Sequence, residues 1–154
     1  IVMAFGILEV FMVSAKHLRN TDFLSKMDPY VVVEYKGQQR LSAVAKNQGG
    51  RPIWNQKIRL RAEYPGNGKN DKIVLKIMDK DHFSKDDFVG QSLIYVSDLL
   101  EMGAEKGKAE IPPTKYVVTL KDNTYRGEIT VGVSFQLQKH TDRPLVGTRN
   151  FELK

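Results

Sequence analysis

Four aspartates lie within the nine-residue stretch 79–87, directly after an alternation of apolar residues that is typical of a strand. They are Asp79, Asp81, Asp86 and Asp87. Like charges at such short spacing repel one another, so they cost stability unless a cation neutralises them. The chain has no cysteine, and its three histidines are widely spaced. This excludes a soft-metal site and favours a hard, oxygen-ligated cation, with calcium as the first choice.

A second acidic loop strengthens this interpretation. Asp22 and Asp28 lie six residues apart, and in the later stretch Asp87 lies six residues beyond Asp81. Calcium takes about six to eight oxygen ligands and accepts carboxylates together with backbone carbonyls. One Asp-rich loop alone usually reflects surface-turn chemistry. Two such loops at the same end of a fold would supply five carboxylates, which suits two ions that share bridging aspartates.

The elements that must position these loops are strands. Eight strand-like segments with turn signals between them, and one short helix, predict an all-β, eight-stranded antiparallel β-sandwich. The segment 6–15 is apolar on both faces and is therefore expected to be central. The helix is expected over 97–103, with Ser97 as its N-cap and Gly103 as its stop. The pair Pro112-Pro113 is expected to precede a short strand over 115–120.

Composition narrows the function classes. The 154 residues are 41% hydrophobic and carry a formal net charge of +6, which suits one domain with a basic surface that attracts anionic partners, or simply a solvated surface. The histidines are not arranged with serine or carboxylate as in a triad, so catalysis is not expected. No apolar run approaches the roughly 18–20 residues of a membrane span, and no signal-peptide pattern is present.

Four stretches together carry a family resemblance. They are Gly6-Ile7-Leu8-Glu9-Val10, Met27-Asp28-Pro29-Tyr30-Val31, Pro52-Ile53-Trp54-Asn55 and the run from Asp79 to Gly90. The chain resembles the C2 domain over residues 6–137, with the phospholipase-type strand topology, and this leaves 138–154 as a basic tail or strap. Further stretches, among them Tyr35-Lys36-Gly37-Gln38 and Glu63-Tyr64-Pro65-Gly66, are similar to the small single-domain C2 proteins of plants, of the elicitor-responsive and phloem-mobile types.

The resemblance implies a ligand set. In that family the positions matching Asp22, Asp28, Asp79, Asp81 and Asp87 ligate calcium. The carbonyl at the Lys80 position and the hydroxyl at the Ser84 position complete the shell. All of these residue types are present here.

The resemblance also implies a function, namely calcium-dependent binding to anionic phospholipid without catalysis. Residues at the tips of the charged loops are expected to enter the bilayer, the apolar Phe23, Leu24 and Phe83 together with His82. The expected protein is a cytoplasmic monomer that moves to the plasma membrane with calcium and acts in plant defence signalling, where protein partners remain open.

The alternative is an RNA carrier for long-distance trafficking. Its binding surface would be a basic face formed by Arg40, Lys46, Lys57, Arg59 and Arg61. No interleaved aromatic residues are evident in this set, so the binding would be electrostatic and sensitive to salt.

Overall fold

The computed structural model describes residues 3–22, 25–66 and 71–138. Within these ranges the elements are β1 (Ala4–Lys16), β2 (Pro29–Tyr35), β3 (Gln38–Leu41), β4 (Ile53–Tyr64), β5 (Lys72–Asp79), β6 (Asp87–Tyr95), α1 (Ser97–Lys106), β7 (Lys108–Thr119) and β8 (Tyr125–Leu137). The expected all-β sandwich of eight antiparallel strands with one short helix is confirmed. Phe23, Leu24 and nearly all of the expected basic tail lie outside the described residues.

The strands follow the order β3-β2-β5-β6-β7-β8-β1-β4. In the described part of the chain, β6 and β7 share one registered pair, Gln91 with Thr119, whereas the other neighbours pair along several residues. The order therefore divides at this junction into two four-stranded layers. As expected, β1 is an interior strand, because it pairs with β4 on one side and β8 on the other.

The core lies between the two layers and follows the alternation of the strands. Leu8, Val10 and Met12 of β1 are fully buried, and so are Ile73, Leu75 and Ile77 of β5. Alternate residues of a strand point to opposite faces, so each strand gives one set of side chains to the core. Leu8 pairs with Leu60 on one neighbour and with Phe135 on the other, which continues the apolar row across the layer.

Two glutamines join the layers at the edge formed by β3 and β4. The Gln38 side chain donates to the Arg61 carbonyl at 2.7 Å and accepts from the Arg61 N–H at 2.9 Å. The Gln56 side chain accepts from the Ala43 N–H at 2.7 Å. The two carboxamides take the place of peptide groups. They pair the backbone of Arg61 in β4 and of Ala43, just after β3, although the two backbones do not form a ladder.

Two details of the sequence interpretation are wrong. The helix runs to Lys106, its N-cap position is Val96, and no side chain caps it. Gly103 does not end the helix but is buried within it, because a Cβ there would lie 2.6 Å from a ring carbon of Phe135. The two prolines lie inside β7 rather than before it, since a register shift between Ile111 and Thr114 accommodates their missing N–H groups.

The strand directions bring the acidic loops together. In the antiparallel pairing, Pro29 at the start of β2 lies opposite Asp79 at the end of β5, and Asp79 lies opposite Asp87 at the start of β6. The loops that precede β2 and follow β5 therefore leave the sandwich at the same end. We refer to this as the loop end.

Candidate functional site

Asp28 and Asp79 form the centre of the loop end. The Asp28 N–H donates to Asp79 Oδ1 at 2.8 Å, and the Lys80 N–H donates to the Asp28 carbonyl at 3.0 Å. Asp28 Oδ1 in turn accepts the Asn47 N–H at 2.6 Å, so the segment between β3 and β4 also contacts this centre. Three separate parts of the chain are thereby held around two carboxylates.

Asp79 is buried, with 3% of its surface exposed. Burial raises the pKa of its carboxyl, hydrogen bonds from the Asp28 N–H and the Thr21 hydroxyl act against that rise, and the negative charges of Asp22 and Asp28 add to it. The Thr21 hydroxyl donates to Asp79 Oδ2 at 3.0 Å. The net rise in pKa indicates that the negative charge of Asp79 is incompletely compensated by these donors.

Asp81 shapes the tip of the loop that follows β5. Its Oδ1 accepts the N–H groups of Phe83 and Ser84 at 2.9 and 3.3 Å, and its Oδ2 accepts the Ser84 hydroxyl at 2.8 Å. These bonds, led by the one from the Phe83 N–H, lower the pKa of Asp81. The turn leaves the Phe83 side chain 99% exposed, beside an exposed His82.

Asp22 and Asp87 line one cleft at the loop end, although they come from different loops. The other lining residues are Arg19, Asn20, Thr21, Phe88 and Lys121. Asp22 is oriented by its own loop, since it accepts the Ser25 N–H at 3.1 Å and the Ser25 hydroxyl at 2.8 Å. Lys121 belongs to the turn between β7 and β8, so this turn also lies at the loop end.

Asp86 was absent from the expected site, although it lies within the acidic stretch. One of its oxygens accepts the Asp81 N–H at 2.9 Å, and the other accepts the Tyr30 hydroxyl and lies 3.9 Å from Lys80 Nζ. Tyr30 lies in β2, two residues after Asp28, so its bond to Asp86 connects the loop that follows β5 with the strand that follows the first acidic loop. Its neighbours hold the pKa of Asp86 below its ordinary value, the Asp81 N–H most of all. In the sequence, the position of Tyr30 two residues after the proposed ligand Asp28 was the feature that could have indicated a contact with the second acidic loop.

The donor chemistry of the loop end fits calcium. All the expected ligands are oxygen donors, which suits a hard cation, and Asp79 is a buried carboxylate surrounded by other carboxylates. Within the described residues, no three His, Asp or Glu side chains are arranged to hold a metal ion together. The oxygens of Asp22, Asp79 and Asp81 accept hydrogen bonds from protein groups instead.

The expected basic residues do not all share one surface. Lys57, Arg59 and Arg61 are exposed and lie at alternate positions of β4, hence on one face. Arg40 is exposed on β3, whose residue Gln38 bonds to Arg61 of β4. Lys46 is separate and lies at the loop end, next to Asn47. Glu9 neutralises part of the face, since it lies 3.1 Å from Arg59 Nε and 3.9 Å from Lys57 Nζ.

Phe11 modifies the expectation that the basic face lacks aromatic residues. It pairs in register with Lys57, and the Lys57 ammonium lies 5.5 Å from the centre of its ring. One partly buried ring therefore accompanies the three cations. Among the residues described, no helix is both long enough and apolar enough to cross a bilayer.

Comparisons with known proteins agree with this fold. A family model described as the C2 domain matches residues 6–111. The 16 kDa phloem protein 1 of Arabidopsis thaliana is 54% identical over 136 residues, 88% of this chain and 87% of that protein. Elicitor-responsive protein 1 of Oryza sativa subsp. japonica is 44% identical over 133 residues, 84% of each. A solved C2 domain-containing protein from a putative elicitor-responsive gene has 37% identity and a TM-score of 0.66, covering 91% of this chain and 95% of that one.

Proposed function

This chain belongs to the C2 domain family, and on that basis we propose that it is a calcium-dependent membrane-binding module without catalytic activity. Its ligands would be the carboxylates of Asp22, Asp28, Asp79, Asp81 and Asp87, with the Lys80 carbonyl and the Ser84 hydroxyl, and five aspartates suit two ions. Its partner would be an anionic phospholipid surface, reached from the cytoplasm when calcium rises. The names of the elicitor-responsive relatives support a role in plant defence signalling.

The observation that carries the proposal is the contact between Asp28 and Asp79. Two aspartates 51 residues apart in sequence are joined by a 2.8 Å hydrogen bond from the Asp28 backbone N–H to the Asp79 carboxylate. Burial, together with the negative charges of Asp22 and Asp28, raises the pKa of Asp79 in spite of that hydrogen bond, and keeping the carboxyl ionised therefore costs stability. A bound cation would offset this cost, so the arrangement suits a cation-binding site.

The same charges make the loop end repel anionic lipid while the site holds no cation. Bound calcium would neutralise the carboxylates and offer coordination positions to lipid phosphate oxygens. Asp81 and Asp86 would hold the loop that follows β5 in place, so the exposed ring of Phe83 faces outward and can enter the interface. Full burial of that ring would contribute roughly 1.5–3 kcal/mol. Phe23 and Leu24 would act in the same way from the first loop.

Sedimentation with vesicles tests the proposal. The protein is mixed with phosphatidylserine and phosphatidylcholine vesicles, with calcium or with chelator, at two salt concentrations. We expect binding that requires calcium and that keeps an apolar component at the higher salt concentration, because screening weakens charge attraction only. Binding that is equal with calcium and chelator would contradict the calcium-dependent function.

The basic face supports the alternative, RNA binding, only in part. Arg59 and Arg61 are exposed at alternate positions of β4 and Arg40 is exposed on β3, but Glu9 offsets the charge of Arg59 and Lys57. RNA bound there would show a steep salt dependence and no need for calcium. Replacing Lys57, Arg59 and Arg61 with Gln would abolish such binding, whereas calcium-dependent vesicle binding would keep its apolar component.

A further inference from the structure

β1 is apolar on both of its faces, but the core of the sandwich covers only one of them. Leu8, Val10 and Met12 point into the core and are fully buried. The residues that alternate with them point to the outside of the layer, and three of these four are apolar: Phe5, Ile7 and Phe11, with Glu9 as the fourth. None of the three apolar residues belongs to the core, and Phe5 is 55% exposed. A stripe of apolar side chains therefore runs along the outer side of β1.

The outward sides of β4, β1, β8 and β7 form one surface, which we call the β1 face. Residues that pair in register point to the same side of a sheet, so the pairings define the rows of this face. Ile7 lies between Arg61 and Gln136, Glu9 between Arg59 and Ser134, and Phe11 between Lys57 and Gly132. α1 packs on the other side of the layer, because its Gly103 lies against the buried ring of Phe135.

Gly132 leaves a gap in the β1 face, next to the ring of Phe11. The nearest atoms to a Cβ at this position would be those of Pro113, at 3.4 Å. The gap belongs to a groove of about 180 Å³, whose apolar lining consists of Phe11, Ile111, Pro113, Gly132 and Val133. An apolar cavity of about 150 Å³ accommodates benzene. The groove therefore has room for one aromatic side chain from outside the chain.

The charges of the β1 face are nearly balanced. Its rows carry five cations, Lys57, Arg59, Arg61, Lys108 and Lys115, and four carboxylates, Glu9, Glu63, Glu110 and Glu128. Glu9 lies within ion-pair distance of Lys57 and Arg59, and Glu128 lies 3.5 Å from Lys115 Nζ. Such a balance gives little preference for a ligand of one charge, which argues against RNA or an anionic bilayer as the occupant of this face. A second copy of the chain brings the same balance together with the same apolar stripe.

The charge distribution also selects how two copies would meet. Sheets that pack face to face keep their strands within about 30° of one another, so a two-fold axis runs either across the strands or along them. An axis across the strands would place the cations of β4 in one copy over those of the other. An axis along the strands, between β1 and β8, places β4 over β7, where Glu110 lies, and avoids that repulsion.

The second arrangement also makes the groove complementary to the molecule itself. Phe11 and Gly132 are directly opposed across the line between β1 and β8. A two-fold axis along this line brings the Phe11 ring of each copy over the Gly132 gap of the other. An interface of this kind uses the same patch twice, so one complementary pair of residues gives two equivalent contacts.

The size of the β1 face sets the strength of such a dimer. Four strands spaced about 4.8 Å apart, with about nine residues of roughly 3.3 Å each, cover about 19 by 30 Å. Two such faces would bury roughly 1,100 Å² in total, which is near the lower end for specific interfaces. An interface of this size suits a weak and reversible dimer rather than an obligate one.

We propose that the β1 face is a homodimer interface, in which Phe11 of each copy enters the groove beside Gly132 of the other. This differs from the monomer expected from the sequence. Because the axis runs along the strands, both loop ends point in the same direction, and the dimer presents two calcium sites to one bilayer. That last consequence rests on the proposed function, whereas the dimer itself requires neither calcium nor lipid.

Analytical ultracentrifugation of the full chain in chelator tests the dimer, over a concentration range of about 1 μM to 1 mM. The parent is expected to pass from monomer to dimer at roughly 10–100 μM, since small interfaces are weak. Phe11→Ser should raise the dimer Kd at least about tenfold, because the ring is lost from both halves of the interface. Leu93→Ser is the matched control, since Leu93 is an exposed apolar residue of β6 in the other layer, and it should dimerise like the parent.

Gly132→Ala is a second variant that acts on the other half of the contact. Its methyl group fits the free chain at 3.4 Å from Pro113 but occupies the gap that receives the ring, so the dimer should weaken while the melting temperature is kept or raised. Melting temperatures of all three variants establish that they fold. A parent that stays monomeric up to 1 mM overturns the proposal. So does a folded Phe11→Ser or Gly132→Ala variant that dimerises like the parent, or equal weakening by Leu93→Ser, which would indicate unspecific apolar adhesion.

Vesicle sedimentation with calcium, at protein concentrations above the dimer Kd, tests the common direction of the two loop ends. Phe11→Ser should bind phosphatidylserine vesicles at least about tenfold more weakly than the parent, because a monomer offers one loop end and the dimer two. Its calcium affinity without lipid should equal that of the parent. Equal vesicle affinity beside a parent that dimerises overturns the axis along the strands. Vesicle binding that does not require calcium overturns the proposed function and leaves the dimer supported by the ultracentrifugation.

Discussion

β5 has a buried aspartate at each end, and the two are compensated in different ways. Asp71, just before the strand, is 2% exposed, and Asp79, at its last position, is 3% exposed. Lys36 Nζ lies 3.2 Å from Asp71 Oδ1, so the first carboxylate has a permanent counter-charge within the fold. Among the described residues, the donors to Asp79 are a hydroxyl and an N–H, and Asp22 and Asp28 are its negative neighbours.

The difference separates a structural carboxylate from one suited to a ligand. A buried carboxylate is costly unless it is paired, and the fold provides the pair at one end of β5 with a lysine from the β2–β3 turn. In the described residues, no lysine or arginine lies within ion-pair distance of Asp79. This supports the proposal that the counter-charge at the loop end is exchangeable. Four variants, with their controls, test the comparison.

The largest effect is expected from Asp79→Asn combined with Asp81→Asn. Losing two charged ligands should weaken calcium binding by about a hundredfold or more, because hydrogen-bonded or coordinated charges contribute roughly 1.5–3 kcal/mol each. The folded-state pKa of Asp79 is raised, so ionising it costs stability as pH rises through that range. A neutral Asn at position 79 should therefore leave the calcium-free protein as stable as the parent or more so, whereas Asp81→Asn acts in the opposite direction, because hydrogen bonds lower the pKa of Asp81. Calorimetry and urea unfolding measure the two effects, and undiminished calcium binding would contradict the ligand assignment.

Asp71→Asn is the matching change at the opposite end, and the opposite pattern is expected. Lys36 loses its counter-charge but stays 29% exposed, so the cost should be about 1–3 kcal/mol, below the full cost of breaking a buried pair. Calcium affinity should not change. Urea unfolding with and without calcium measures both quantities. A variant of full stability, or one with impaired calcium binding, would remove the distinction between the two aspartates.

The comparison also separates what the sequence could predict from what it could not. The alternating strands and the two acidic loops were recognisable, because strand periodicity and Asp spacing are local patterns. Gly103 was misjudged because its role depends on the ring of Phe135 on another element. The Lys36–Asp71 pair and the Tyr30–Asp86 bond were missed for the same reason, since each joins residues far apart in sequence.

Phe83→Ala tests whether the loop end contacts the bilayer through more than charge. The ring is almost fully exposed, and the backbone N–H that fixes the turn remains in the variant. Vesicle binding with calcium should weaken by roughly tenfold, which corresponds to about 1.4 kcal/mol, while calcium affinity without lipid should not change. Phe83→Leu is the control that keeps an apolar tip and should retain most of the binding. Equal vesicle affinity in the Ala variant would mean that charge alone makes the contact.

The smallest effect is expected from Tyr30→Phe, which removes the hydroxyl that binds Asp86. Burial, followed by the hydrogen bond and the charge of Asp86, raises the pKa of Tyr30 to about 12, so the hydroxyl remains a donor at physiological pH. Without it, Asp86 keeps the Asp81 N–H but loses its connection to β2. Calcium affinity should fall about two- to fivefold, because one hydrogen bond contributes about 0.5–1 kcal/mol net.

A double-mutant cycle with Asp86→Asn distinguishes this connection from two independent effects. If the hydroxyl acts through Asp86, the loss in the double variant should be smaller than the sum of the single losses. The pH dependence adds a second criterion. The pKa of Asp86 is lowered in the folded protein, so the stability it contributes is present above the ordinary Asp pKa and is lost as pH falls through the folded-state value. The stability difference between parent and Tyr30→Phe should thus persist at mildly acidic pH. Additive losses would mean that the Tyr30 hydroxyl and Asp86 act independently on calcium affinity. The bond between them would then not help to arrange the two acidic loops for binding.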